Sequence, residues 1–317
     1  MVEATLARVK AYAGWIAGCI GAILAYLAGF DLLSRYISSQ DGLHLAANVY
    51  IVILSFSIVV LAAWRQWITI RKEKYANITP LLHAVHHEIR DLNTFIHLNE
   101  PKDGSKREYE RFMNDCKVQF GRVLDQLKNV FGTLTSTHCR ASIKMTYEKN
   151  DRVFIYTLTR DQGSKQQCFL RDNQRLDADH DPLEENPQFA RLFNGKILVW
   201  HYICNDLTSD NSFRCTSMSA YDPEYATRAP RSRWARFWNL SWPLPYKSTL
   251  ACVIRQGQFD LNQQIQPEVL GFLTVDSESR GVFQERWDAQ LMFSVADALY
   301  GPVRGYIAAQ NRAKLVN

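Results

Sequence analysis

Two long apolar runs near the N-terminus constrain this chain before anything else does. AYAGWIAGCIGAILAYLAGFDLL, residues 11 to 33, carries no charge until Asp31, and LAANVYIVILSFSIVVLAAW, residues 45 to 64, carries none. Each is about 20 residues, roughly 30 Å of helix, which matches the hydrocarbon core of a bilayer. The first run is too long for the apolar part of a signal peptide and a second follows it, so both read as membrane spans. Tyr12, Trp15, Tyr36, Trp64 and Trp67 lie near their ends, where aromatic side chains anchor at the interface. Arg8 and Lys10 precede the first run, Arg65, Arg71, Lys72 and Lys74 follow the second, and the loop between them has only Arg35 against Asp41. This bias predicts both termini in the cytoplasm, in a bacterial inner membrane. No ionisable residue lies in mid-span, which argues against a proton relay or transporter.

Small residues recur every four positions in the first run, as Gly14, Gly18 and Ala22 and again as Ala17, Gly21, Ala25 and Gly29. Such stripes let helices approach closely. Their partner is either the second span or a further copy of the chain, giving a homo-oligomer.

The remaining residues read as soluble protein. Net charge is +5, which names no partner by itself. The seven cysteines are odd in number and form no C-x-x-C pair, so they suit a reducing compartment and neither a disulfide framework nor a zinc site. His201 and Cys204 alone are too few for a metal, and no metal or cofactor is expected.

Residues 69–136 read as a helical connector. Thr79 and Pro80 mark a helix start, and Leu82, Val85, Ile89, Leu92 and Ile96 form an amphipathic stripe. His83 and His87 fall nearly opposite that stripe. His87-Glu88-Ile89-Arg90 resembles the phosphoacceptor box of histidine kinases, but Asp91-Leu92 follows in place of Thr-Pro, and no nucleotide-binding motif follows it. After a turn at residues 100–104, a second helix from Lys106 to about Leu134 puts Phe112, Cys116, Phe120, Val123, Leu127, Val130 and Phe131 on one side.

From residue 137 the period changes. CRASIKMTY (139–147) and VFIYTLT (153–159) predict a hairpin, NPQFARLFNG (186–195) a short helix, and KILVWHYIC (196–204), KSTLACVIR (247–255) and LGFLTVDS (270–277) further strands. Phe283 to about Ala309 predicts a last amphipathic helix. This order is that of an α+β domain with a mainly antiparallel sheet. Leu270 to Ser277, Gly281-Val282-Phe283, Leu291 and Ala296-Asp297 resemble the closing strand and helix of the GAF sensory family. Ile203 to Leu207 and Tyr246 to Leu250 are similar to two of its inner strands. The resemblance implies a GAF-like domain over 137–317 that binds a small molecule between its sheet and a covering loop, with Asn205 and Asp206 as candidates. The family's cyclic-nucleotide constellation and its bilin-carrying cysteine-histidine pair are both absent. A GAF-like domain that serves only to dimerise is the alternative.

Between strands lies an insert, 208–246, of about forty residues, long for a connection. As a helix its segment 228–242 puts Trp234, Phe237, Trp238 and Trp242 on one arc, with Arg233 and Arg236 largely on the other. Packing as a lid, contact with an anionic membrane surface and binding of single-stranded nucleic acid all fit; a tether to a membrane favours the second of these over the third.

No nucleophile, acid-base pair or metal cluster comes with supporting motifs, so the chain reads as non-enzymatic. After the last predicted helix there is no room for an output module, which leaves the spans, residues 1–68, as the output. The layout resembles membrane-disrupting effectors of bacterial anti-phage systems, some linked to cyclic nucleotides and some to retrons. It implies a sensor that rearranges its spans to disturb the bilayer. A sensor or scaffold signalling to a separate regulatory partner is the other reading.

Overall fold

The computed structural model describes residues 40–102, 104–165, 181–194, 200–210, 213, 242, 244–255 and 268–316. The first apolar run, with Gly14, Gly18, Gly21, Ala25 and Gly29, lies outside the described residues. So do Arg233, Trp234, Arg236 and Trp238. The chain divides into two compact units, Met1–Ala76 and Asn77–Asn317.

In the first unit the second apolar run forms a single helix, α1 (Gln40–Asn77). Each residue turns the helix by about 100°, so Val49, Ile51, Val59 and Leu61 look out on different sides. All four are exposed, as are Val52, Phe56 and Trp64. A helix that is apolar all round belongs in a protein core or in lipid. By length and composition α1 can cross a membrane, and it is the one such helix among the described residues.

In the second unit six strands form one antiparallel sheet: β1 (Cys139–Lys149), β2 (Arg152–Arg160), β3 (Asp181–Pro182), β4 (His201–Cys204), β5 (Ser248–Arg255) and β6 (Val269–Ser277). Their order across the sheet is β3-β2-β1-β6-β5-β4. This is the antiparallel α+β architecture that the strand and helix patterns predict. The polar turn at Asn150-Asp151 joins β1 to β2 with both residues at positive φ, 54° and 58°, as tight hairpins require. Gly271 faces Met145 across the β1–β6 ladder, and a Cβ there would collide with the Lys144 carbonyl.

Two long helices, α3 (Lys106–Thr135) and a terminal α5 (Glu285–Leu315), lie on one face of the sheet, and α2 (Thr79–Asn99) packs on both. The helices assigned from sequence to a connector therefore share a core with the sheet. All seven apolar residues of the α3 stripe are buried. On α2, Val85, Ile89, Leu92 and Ile96 are buried. Thr79 is the first residue of α2, and Ile78 stands at its cap position without a side-chain bond. The start of α3 is secured by Ser105, whose backbone N–H and hydroxyl both donate to Glu108 Oε2, at 2.6 and 2.9 Å. These bonds hold the Glu108 carboxyl below its usual range.

Because side chains alternate along a strand, every second residue faces these helices. Ala141, Ile143 and Met145 of β1, Leu250, Cys252 and Ile254 of β5, and Leu273 and Val275 of β6 are buried there. Burial of each larger side chain is worth about 1.5–3 kcal/mol. The Cys252 thiol reaches the Ala289 carbonyl of α5 at 3.9 Å.

Candidate functional site

The alternate residues of the same strands make the second face, and these are largely polar. Pairing across the sheet sets them in rows. Arg160, Ser142, Thr274, Ala251 and Tyr202 form one row, from β2 to β4. Arg140, Asp276, Thr249 and Cys204 form the row beside it, and Thr157, Lys144, Phe272 and Val253 the row on the other side. Directly opposed side chains lie about 5 Å apart at Cβ, close enough to interact.

Hydrogen bonds tie the rows together. Ser142 Oγ lies 2.7 Å from Thr274 Oγ1, and Thr249 donates to Asp276 at 2.6 Å. Thr157 Oγ1 accepts from Lys144 Nζ at 3.3 Å and from Arg160 Nη2 at 3.4 Å. Burial pushes the Asp276 carboxyl above its ordinary range, against Thr249 and the nearby charges of Lys144, Arg160 and Arg140. Arg140 also reaches Glu278 at the rim, at 3.2 Å, where His138 meets the same oxygen at 3.3 Å. Among the described residues the buried Arg140 Nε has no hydrogen-bond partner.

A short apolar layer covers part of this face. It consists of a 3-10 turn, Leu183–Glu185, and the helix α4 (Pro187–Phe193). Leu183, Phe189 and Leu192 pack on Ile155, Ala251, Val253 and Phe272. The Phe189 ring lies 4.9 Å from that of Phe272 and 5.6 Å from Lys144 Nζ. Within this layer Gln188 is 7% exposed, and its Oε1 has no partner among the described residues.

The sequence-derived candidates lie elsewhere. Asn205 donates to the Phe283 carbonyl at 2.8 Å and accepts from the Phe283 N–H at 2.9 Å, clamping the loop that leads into α5. Asp206 accepts from the Thr208 hydroxyl and N–H, at 2.6 and 3.1 Å, and pairs with Arg280 at 3.1 Å. Trp242 donates to the Tyr246 carbonyl and packs against Leu207, Phe213 and Leu244. His83 and His87 stand opposite the buried stripe of α2 with their Nε2 atoms 2.7 Å apart. Among the described residues no group of three or more His, Cys, Asp or Glu is arranged to hold a metal. Burial pushes the Cys116 thiol up to about 12, and raises those of Cys139, Cys204 and Cys252. Such thiols are poor nucleophiles near neutral pH.

The polar-face residues carried a signal in the sequence. In CRASIKMT, positions 140, 142, 144 and 146 are polar and positions 139, 141, 143 and 145 are not. Alternation of this kind marks a strand with one apolar and one polar face, and the polar face is itself largely buried, Ser142, Thr249 and Thr274 all being under 10% exposed.

The second unit is thus an antiparallel α+β domain with one face closed by helices and one charged. No family model matches the chain, and no curated protein matches it. Its structure is similar to the type II free methionine-R-sulfoxide reductase from Thermoplasma acidophilum, with 11% identity and a TM-score of 0.35 over 62% of this chain and 96% of that one. It is also similar to the GAF domain of an Acinetobacter phosphoenolpyruvate-protein phosphotransferase, with 15% identity and a TM-score of 0.32 over 65% and 94%. A further GAF domain is similar at 9% identity and a TM-score of 0.31, over 64% and 92%.

Proposed function

We propose that residues 77–317 form a GAF-like sensory domain that binds a small molecule on the polar face of its sheet and passes that state to the apolar helices preceding it. The observation that carries this reading is the contrast between the two faces. Half-buried cations on a sheet add little to stability, so the charged face suits recognition better than packing. The likeness of Leu270–Ser277 and Phe283 to the closing GAF elements supports the same reading. The exposed apolar surface of α1 supports a lipid bilayer as its surroundings.

In this reading the chain is a non-enzymatic sensor-effector of a bacterial inner membrane, with its termini and sensory domain in the cytoplasm. Ligand or partner binding rearranges the spans, which self-associate along Gly14, Gly18, Gly21, Ala25 and Gly29 and disturb the bilayer. An anti-phage role fits this layout. The insert residues Arg233, Trp234, Arg236, Trp238 and Trp242 serve as a lid or a membrane contact.

The test is membrane potential in bacteria expressing the full chain, read with a voltage-sensitive dye, with and without co-expressed genomic neighbours under phage challenge. Depolarisation that Gly18→Leu abolishes supports the effector. Unchanged potential under every condition sinks it and leaves a scaffold that signals to a separate partner.

A further inference from the structure

We infer that the polar face holds an oxyanion, a phosphate or carboxylate group of a small molecule, gripped by Arg140, Lys144 and Arg160 around the buried Ser142. The inference rests on the reading of that face as the ligand site and adds the chemistry of what it takes.

The register supplies the geometry. Arg160 stands directly across from Ser142 on the neighbouring strand. Arg140 and Lys144 are the residues two before and two after Ser142 on β1, on the same face of the sheet. Three cations therefore surround one small hydroxyl on three sides, and Thr274 occupies the fourth. Among the described neighbours one carboxylate, Asp276, lies within the group, with Glu278 at the rim.

Donor capacity points the same way. A guanidinium has five N–H donors. Among the described residues the Arg160 side chain makes one hydrogen bond, a long one of 3.4 Å to Thr157. Arg140 gives Nη2 to Glu278 and leaves Nε buried and, among the same residues, unpartnered. Two forks with spare donors on either side of one hydroxyl match the planar or tetrahedral oxygens of a carboxylate or phosphate. Asp276 has a different part. Bonded to Thr249 and facing Arg140 across the ladder, it weakens the field an anion meets.

The experiment is calorimetric titration of the full chain in detergent with inorganic pyrophosphate and, separately, with citrate, at constant ionic strength. We expect saturable binding of at least one, weakened about tenfold or more by Arg160→Gln and by Arg140→Gln, the loss of one charged contact. Asp276→Asn should tighten it. Near-UV circular dichroism checks that each variant is folded. Binding of pyrophosphate alone assigns a phosphate group, and of citrate alone a carboxylate. No saturable heat with either probe, or heats unchanged by both arginine variants, overturns the inference. A parallel arm follows hydrogen exchange of 139–149 and 269–277 with a small-molecule cell extract split on anion-exchange resin. Protection by the unretained fraction alone keeps the ligand site and removes the anion, and protection by neither fraction removes both.

Discussion

The two faces of the central sheet come from alternate residues of the same strands, yet they are finished differently. Toward α3 and α5 the side chains are Ile143, Leu250, Cys252, Leu273 and Val275, all buried. On the other side the same strands present Ser142, Lys144, Thr249, Thr274 and Asp276, two of them charged. Burying charge is costly unless it is paired and hydrogen-bonded, so the second face gives up stability that apolar residues would have supplied. The comparison separates the part of the domain that holds the fold from the part available for recognition.

The strongest way to test this division is to remove a ring from the closed face. Phe131 of α3 is fully buried and meets Phe283 edge-on, with ring centroids 6.0 Å apart. Phe131→Ala should destabilise the domain by about 3–5 kcal/mol, the usual cost of a buried aromatic truncation, measured by urea unfolding. A loss below about 1 kcal/mol would mean that the closed face is not the main core. Gly271→Ala tests the ladder on which both faces depend. Its methyl would strike the Lys144 carbonyl, so β1 and β6 must separate locally, at about 2–3 kcal/mol. That shift also moves Lys144, so it should reduce any pyrophosphate or citrate binding together with stability.

Arg160→Gln should behave in the opposite way. The side chain is half-buried and its one hydrogen bond among the described residues is long, so its loss should change stability by less than about 1 kcal/mol while removing most of the anion response. A large loss of stability with binding intact would show that the cations hold the sheet together, and the contrast between the faces would collapse.

The closed face was legible because its signal is local. Phe112, Cys116, Phe120, Val123, Leu127, Val130 and Phe131 recur at helical spacing, and a helix with such a stripe must bury it. The strands could be read as short β-rich runs bounded by turn residues. The polar face was legible one strand at a time and illegible as a site. Ser142 meets Thr274 from 132 residues away, and nothing in either strand alone states their register. β3 was missed because a strand of two residues, Asp181–Pro182, has no period to detect. Asn205 and Asp206 drew notice as polar residues at a strand end. Their side chains hold the loops at residues 208 and 280–283, a role that becomes visible only once the ends of β4 and β6 are seen together.

The smallest expected effect concerns the carboxylate inside the cationic group. Burial raises the native-state proton affinity of Asp276 above the ordinary carboxyl value of 3.8. The native state then keeps this proton at a pH where the unfolded chain has released it. Linkage makes stability fall as pH rises wherever the native state binds more protons. The wild-type domain should therefore lose stability between the ordinary carboxyl value and the higher native one, with no further change from this group above it. Asp276→Asn has no such proton. Its stability relative to wild type should rise across that window and level off, as read from urea midpoints in steps between pH 4 and 7. If the gap instead moves in favour of wild type as pH rises, the three cations stabilise the carboxylate more than burial penalises it. The polar face would then be an internally balanced ion network, with far less need for an anion from outside.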